Sequence, residues 1–184
     1  MESELIINVL GKFSNTSLCN VTACISNQSC NILDSRQAQY GTDSCLTLIV
    51  RGITNKITLL ELELNNLCVE HDLLCLMKRT SGHQKQNIEK VINLTFYGLD
   101  ASGVMFKVMQ SLSEMQVSIS ALRQKTEHQG ESQTLECKMV LSAPKTLDLE
   151  AFDKTMINLL DGLNLHGKIS HNDYKEHHEH IESW

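Results

Sequence analysis

Leu5-Ile6-Ile7-Asn8-Val9-Leu10-Gly11 and Val91-Ile92-Asn93-Leu94-Thr95-Phe96-Tyr97-Gly98 are two apolar runs, each closed by a glycine, and the two glycines stand 87 positions apart. The same offset relates Leu18 to Met105, Val21 to Val108, Ile25 to Leu112, Ile32 to Ile119 and Arg36-Gln37 to Arg123-Gln124, with no gap between them. The matches fall on hydrophobic positions and on the one turn glycine that a shared backbone would need. The chain therefore reads as two copies of one module.

Working outward from the first run, a short apolar stretch closed by glycine suits a buried strand. Ser14, Asn15, Thr16 and Ser17 then offer helix N-caps, and Leu18, Val21, Ile25 and Gln28 lie on one helical stripe that ends near Ser29. Asn31 to Tyr40 and Cys45 to Val50, separated by the turn residues Gly41-Thr42-Asp43, read as a hairpin. Ile57, Leu60, Leu64 and Leu67 return to helical spacing, and Leu73 to Met77 supplies a last strand. The order is β-α-β-β-α-β.

The second copy repeats it. Val91 to Tyr97 is a strand, and Met105, Val108, Leu112 and Met115 mark a helix that Asp100 or Ser102 is placed to cap. Val117 to Lys125 and Leu135 to Leu141 form the hairpin, with Glu127 to Ser132 as its polar loop. Leu149 to Leu163 is an amphipathic helix behind an Asp148 cap, and Leu165 to Tyr174 is a final strand that Gly167 weakens. The expected organisation is a first domain over 1–80, a polar linker over 81–87, a second domain over 88–176 and a flexible tail over 177–184. The fold class is α+β: two ferredoxin-like modules, each an antiparallel four-stranded sheet covered on one face by two helices. The uncovered faces and edges call for protection, by contact between the modules or by a homodimer.

Composition narrows the function. The 184 residues carry 16 Lys and Arg against 22 Asp and Glu, for a formal charge of −6 and a pI of about 5.7. That balance opposes a surface that tracks phosphates, and 4% aromatic residues leave few rings for base stacking, so no direct nucleic-acid partner is expected. Seven cysteines, an odd number without a C-x-x-C pair, argue against a disulfide framework or zinc site and for small buried side chains in a reducing cytoplasm. The amino terminus is acidic and lacks a signal peptide, and no run approaches the ~18 apolar residues of a membrane span, so a cytoplasmic protein without a membrane partner is expected. His177-His178-Glu179-His180 stands at a chain end and matches no metal motif. No nucleophile elbow, P-loop or dinucleotide fingerprint is present, so no catalytic residue, metal or cofactor is assigned.

Cys30-Asn31-Ile32-Leu33-Asp34-Ser35-Arg36 and Asp72-Leu73-Leu74-Cys75-Leu76-Met77-Lys78-Arg79-Thr80, with Ile57-Thr58-Leu59-Leu60-Glu61 at the second helix, resemble the ACT domains, small regulatory modules that bind amino acids. Among these the likeness is to the bacterial family of tandem-ACT repressors of the glycine cleavage system, strongest from Cys30 to Thr80. The resemblance implies a non-enzymatic regulator that answers to a small amino acid, glycine in the first place. It also implies action through the transcription activator of the glycine cleavage operon in place of operator DNA. The alternative is an ACT pair that regulates a metabolic enzyme or other protein without a ligand site of its own.

The resemblance also picks out residues. ACT modules of this kind carry Asp-Arg-Pro-Gly or similar between the first strand and first helix, where backbone amides can meet a carboxylate. Asp100-Ala101-Ser102-Gly103 keeps the Asp and the Gly, whereas Phe13-Ser14-Asn15-Thr16 keeps neither. The expected ligand site is thus Gly98, Asp100, Ala101, Ser102 and Gly103, with Gly11, Asn31 and Ile32 as the other ligand-binding positions. Arg36 and Arg123, equivalent in the two copies, are candidates to contact a carboxylate or a partner, and Asp34 is a same-face neighbour for Arg36.

Overall fold

The structure is a computed structural model that describes residues 2–80, 90–129 and 132–173. The expected linker at 81–87 and the expected tail at 177–184 lie outside the described residues. The chain divides into two compact units, Met1–Gln84 and Lys85–Trp184.

The first unit is built from β1 (Glu2–Gly11), α1 (Ser17–Asn27), β2 (Asn31–Tyr40), β3 (Asp43–Ile53), α2 (Thr54–Glu70) and β4 (Leu74–Thr80). Its strands are antiparallel in the order β2-β3-β1-β4. Alternation along β1 turns Leu5, Ile7 and Val9 to the helices, where they are fully buried with Leu46, Leu48 and Val50 of β3. Val21 and Ile25 of α1 and Ile57, Leu60 and Leu64 of α2 close this core. The stripe of α2 ends on buried Cys68, and Leu67, expected on that stripe, is only partly buried at its flank. Gln28 ends the α1 stripe as anticipated, buried, with its Nε2 donating to Glu63 Oε1 at 2.6 Å.

The second unit repeats the plan with β5 (Lys90–Leu99), α3 (Val104–Glu114), β6 (Ser118–Gln129), β7 (Ser132–Ala143), α4 (Leu149–Gly162) and β8 (Leu165–Asp173), in strand order β6-β7-β5-β8. Ile92, Leu94 and Phe96 face Val108, Leu112, Phe152, Met156 and Leu160 across a buried core. Asp148 caps α4 as expected, its Oδ1 accepting from the amides of Glu150 and Ala151 at 3.0 and 3.1 Å. The glycine in β8 also has a reason: a Cβ on Gly167 would lie 2.4 Å from Cδ1 of Leu160, so the strand gives way to the helix that covers it.

The offset of 87 holds in detail through the first half of each unit. Helices α1 and α3 correspond residue for residue, and β2 and β6 carry a bulge at the same place, between Ile32 and Asp34 and between Ile119 and Ala121. The copies part at the hairpin end: the first hairpin pairs out to Tyr40 and Asp43, whereas β6 and β7 run two residues further, to Gln129 and Ser132. Residues 127–129, expected in a polar loop, therefore belong to a strand. Polar side chains are tolerated at Glu127 and His128 because both are exposed.

Two expected caps are absent. Helix α3 starts at Gly103, with φ +86 and no side-chain cap, and α1 starts at Thr16, also without one. The hydroxyl of Ser17 instead accepts from the amide of Ser14 at 2.7 Å, and Asp100 is engaged elsewhere, as described below.

Candidate functional site

Gly11 and Gly98 sit at the ends of the central strands, each beside the turn that follows the second helix of its own unit. A Cβ on Gly98 would lie 2.7 Å from Cδ2 of Leu165 and 2.8 Å from the carbonyl oxygen of Asn164. The corresponding contacts at Gly11, with φ +148, are Leu73 Cδ2 at 2.9 Å and Asp72 O at 3.4 Å. Distances under 3 Å leave no room for a side chain, so the close approach that glycine permits is made by the protein's own backbone. Asp72 and Asn164 both take positive φ, 54° and 56°, and thereby turn the chain back against the glycine.

The other residues of the second loop are spread along it. The Asp100 amide donates to Gln133 O at 2.8 Å, and its carboxylate accepts from Thr126 Oγ1 at 3.0 Å, which pins the loop to β7 and β6. Ala101, Ser102 and Gly103 are exposed, with open space where a Gly103 side chain would be. The Asn31 side chain is exposed at the start of β2, opposite Arg51, and Ile32 packs partly against the first core. Arg36 is exposed, its Nε 3.6 Å from Asp34 Oδ2, the same-face neighbour that its spacing predicts. Arg123 is exposed on β6 directly opposite Lys138 of β7. Within the second unit the structure thus brings Gly98 and Asp100 to one end of the sheet and leaves Arg123 further along β6.

Sequence reasoning missed a depression of ≈ 350 Å³ on the face of the second sheet opposite the helices. It is lined by Thr95, Tyr97 and Gly98 of β5, Lys125 of β6, and Thr134 and Glu136 of β7, among others. Strand alternation alone puts Thr95 and Tyr97 on one face, but the β5–β7–β6 register that adds Lys125 and Glu136 depends on the hairpin extension. Gly98 thus has two surroundings: one side is filled by Leu165, the other opens on this depression. Tyr97 is half exposed and meets His166 of β8, with ring centroids 5.2 Å apart and planes tilted by 41°.

Five of the seven cysteines offer little chemistry. Burial pushes the thiols of Cys24 and Cys137 up to about 11 and that of Cys75 up to about 12, with Glu63 reinforcing the effect at Cys24 and Cys68 reinforcing it at Cys75. Cys30 and Cys68 are raised by burial as well. At neutral pH such groups are protonated, hence poor nucleophiles and poor metal ligands. No group of three or more metal-ligating side chains with suitable placement occurs among the described residues, nor is any described helix long and apolar enough to cross a membrane.

The profile of the ACT domain matches residues 3–78, which is β1 through β4 of the first unit. The first unit is an ACT domain. The second has the same element order, strand order and bulge, so the chain is a tandem of two ferredoxin-like units of α+β fold, the first of them matched by the ACT model. Over 177 residues, 95% of this chain and 93% of theirs, it is 25% identical to the glycine cleavage system transcriptional repressors of Escherichia coli (strain K12) and Shigella flexneri. Among solved structures, one named "putative glycine cleavage system transcriptional repressor" superposes with a TM-score of 0.77 at 22% identity, covering 94% of this chain and 99% of the other. A protein of unknown role from Galdieria sulphuraria gives the same TM-score and coverage at 15% identity. These two structures share the two-unit fold of this chain.

Proposed function

We propose that this tandem ACT protein is a non-enzymatic regulator that restrains expression of a glycine cleavage system in response to a small amino acid, glycine first, through a protein partner. The observation that carries the reading is likeness along 95% of the chain to two curated repressors of that system. Direct operator binding is disfavoured by the −6 charge and by the helices: α1 has no basic residue, and α2, α3 and α4 have one each, Lys56, Lys107 and Lys154. The partner under this reading is the transcription activator of the glycine cleavage operon.

Two modules, 1–80 and 88–176, would share the work. The loop from Gly98 to Gly103 of the second is the better candidate for a carboxylate, because α3 starts without a side-chain cap beside exposed Ser102 and Gly103. Asn31, Ile32 and Gly11 of the first, with Arg36 and Arg123, complete the candidate set. A ligand held there shifts the population of states that present the partner surface, by no more than its differential affinity for them. Calorimetry of the intact chain against a panel of amino acids tests the sensing step: saturable heat with glycine supports it, and no heat with any of them removes it.

The packing of Leu165 against Gly98 favours a second reading, an ACT pair that regulates a metabolic enzyme or other protein with no ligand of its own. Capture from the native host separates the two, since recovery of a metabolic enzyme without an activator supports the second.

A further inference from the structure

The two open sheet faces share a backbone and differ in charge. Pairing across the first sheet places Arg36, Thr47, Asn8 and Leu76 in one row, on the face away from the helices. The equivalent row of the second sheet is Arg123, Lys138, Thr95 and Lys168. One row on, Ala38 and Cys45 of the first sheet correspond to Lys125 and Glu136 of the second. The arginine is common to both copies, while lysines 125, 138 and 168 replace neutral residues. With strands about 4.8 Å apart, the row spans about 15 Å. All four cations are exposed.

Arg123 and Lys138 are direct cross-strand neighbours, an arrangement of like charges that lowers stability. Glu136 lies 3.2 Å from Lys138 and Glu127 3.4 Å from Lys125, both as exposed pairs, and among the described residues neither Arg123 nor Lys168 has an ion-pair partner. The face keeps uncompensated cations on a chain of charge −6. Beside the row, the depression floored by Thr95 and Tyr97 gives a partner side chain a place to seat.

We infer that the open face of the second sheet docks an acidic segment of a protein partner across Arg123, Lys125, Lys138 and Lys168. Charge complementarity selects the occupant. Two carboxylates interleaved with the cations, and Tyr97 as the one aromatic ring of that face's central strand, fit a mixed protein surface better than a phosphate backbone. The inference deepens the partner-mediated reading above and rests on it for biological context. Its test is independent of amino-acid binding, so if calorimetry fails and docking succeeds, only the sensing reading falls.

The test titrates the intact chain with a fluorescein-labelled decaglutamate peptide at low salt and maps amide shifts in the labelled protein. Shifts confined to residues 95–97, 123–125, 136–138 and 168 are expected. R123E/K168E should weaken binding about tenfold or more, whereas K78E/K154E, an equal charge change elsewhere, should weaken it about twofold or less. R123Q/K168Q, a milder change, should still cost several-fold and keeps the test valid if the double reversal does not fold. Equal losses for both reversals, shifts scattered over the chain, or tighter binding of a DNA oligonucleotide of matched charge to this face would each overturn the inference.

Discussion

Gly98 and Leu165 are fitted so closely that a single methyl group on the glycine would stand 2.7 Å from the leucine's Cδ2, with the Asn164 carbonyl oxygen at 2.8 Å. The backbone oxygen cannot swing aside as a side-chain tip would, so Gly98→Ala must push β5 and the α4–β8 turn apart. Overpacking of this kind costs about 1–3 kcal/mol. Gly103→Ala meets no atom within 4 Å and loses only the ease of φ +86, about 1 kcal/mol. Denaturant titration of the two variants should rank G98A as the more damaging. The reverse ranking would mean that the glycine is kept for something other than this contact.

That contact marks a limit on what the sequence alone discloses. The two glycines, their 87-residue separation and the apolar positions between them are local signals, and they suffice for the repeat, the element order and most of each core. The reason for the glycines is not local, since Leu165 is 67 positions from Gly98 and meets it only through the β5–β8 pairing. Register decides the open face in the same way. Lys138 and Lys168 look like ordinary strand lysines until β7 and β8 place them in one row with Arg123. The caps depart from expectation for a third reason: hydroxyl and carboxylate side chains near a helix start have competing partners, and Asp100 finds Thr126 across the sheet.

The residue that turns the chain after each helix is the same kind of compromise four times over. Ser29, Asp72, Gln116 and Asn164 all take positive φ near 52–57°, in the left-handed region that side chains disfavour. The carbonyl of Ile25 accepts from Cys30 and that of Leu112 from Val117, at 3.2 and 2.9 Å, which is the wide bond of a glycine-type helix end. Ser29→Gly and Gln116→Gly should therefore stabilise their units. The gain is about 0.5 kcal/mol each, after the greater freedom of glycine in the unfolded chain offsets part of about 1 kcal/mol of relieved strain. Amide signals from the altered unit, followed through a urea titration, should show its midpoint rising.

Glu4 is buried, and one of its oxygens receives both Nε and Nη2 of Arg51 from the neighbouring strand, at 3.0 and 2.6 Å. That bond in turn raises the pKa of the guanidinium. Removing the cation takes two donors from a carboxylate that has little contact with water. Arg51→Ala should lower the unfolding midpoint, by less than the loss of a fully buried pair because the arginine is half exposed, and Glu4→Gln in the R51A background should recover part of the loss. A thermal-unfolding double-mutant cycle measures the coupling, and strict additivity would show that the pair contributes nothing.

The thiols should sort by accessibility and charge state. Cys75, held up at about 12 by burial and by Cys68, and Cys24 and Cys137, at about 11, have almost no thiolate at pH 8, and Cys24, Cys68 and Cys137 are also buried. Cys19 is exposed on α1. Brief treatment of the folded chain with iodoacetamide at pH 8, read by peptide mass spectrometry, should label Cys19 and leave Cys24, Cys68 and Cys137 unmodified until denaturant is added. Because alkylation consumes the thiolate and a raised pKa withholds it, Cys24, Cys68 and Cys137 should stay unmodified in the folded chain even when the reaction is prolonged at pH 8. Early labelling of Cys137 in the folded protein would contradict a second core closed around Phe96, Phe152 and Met156.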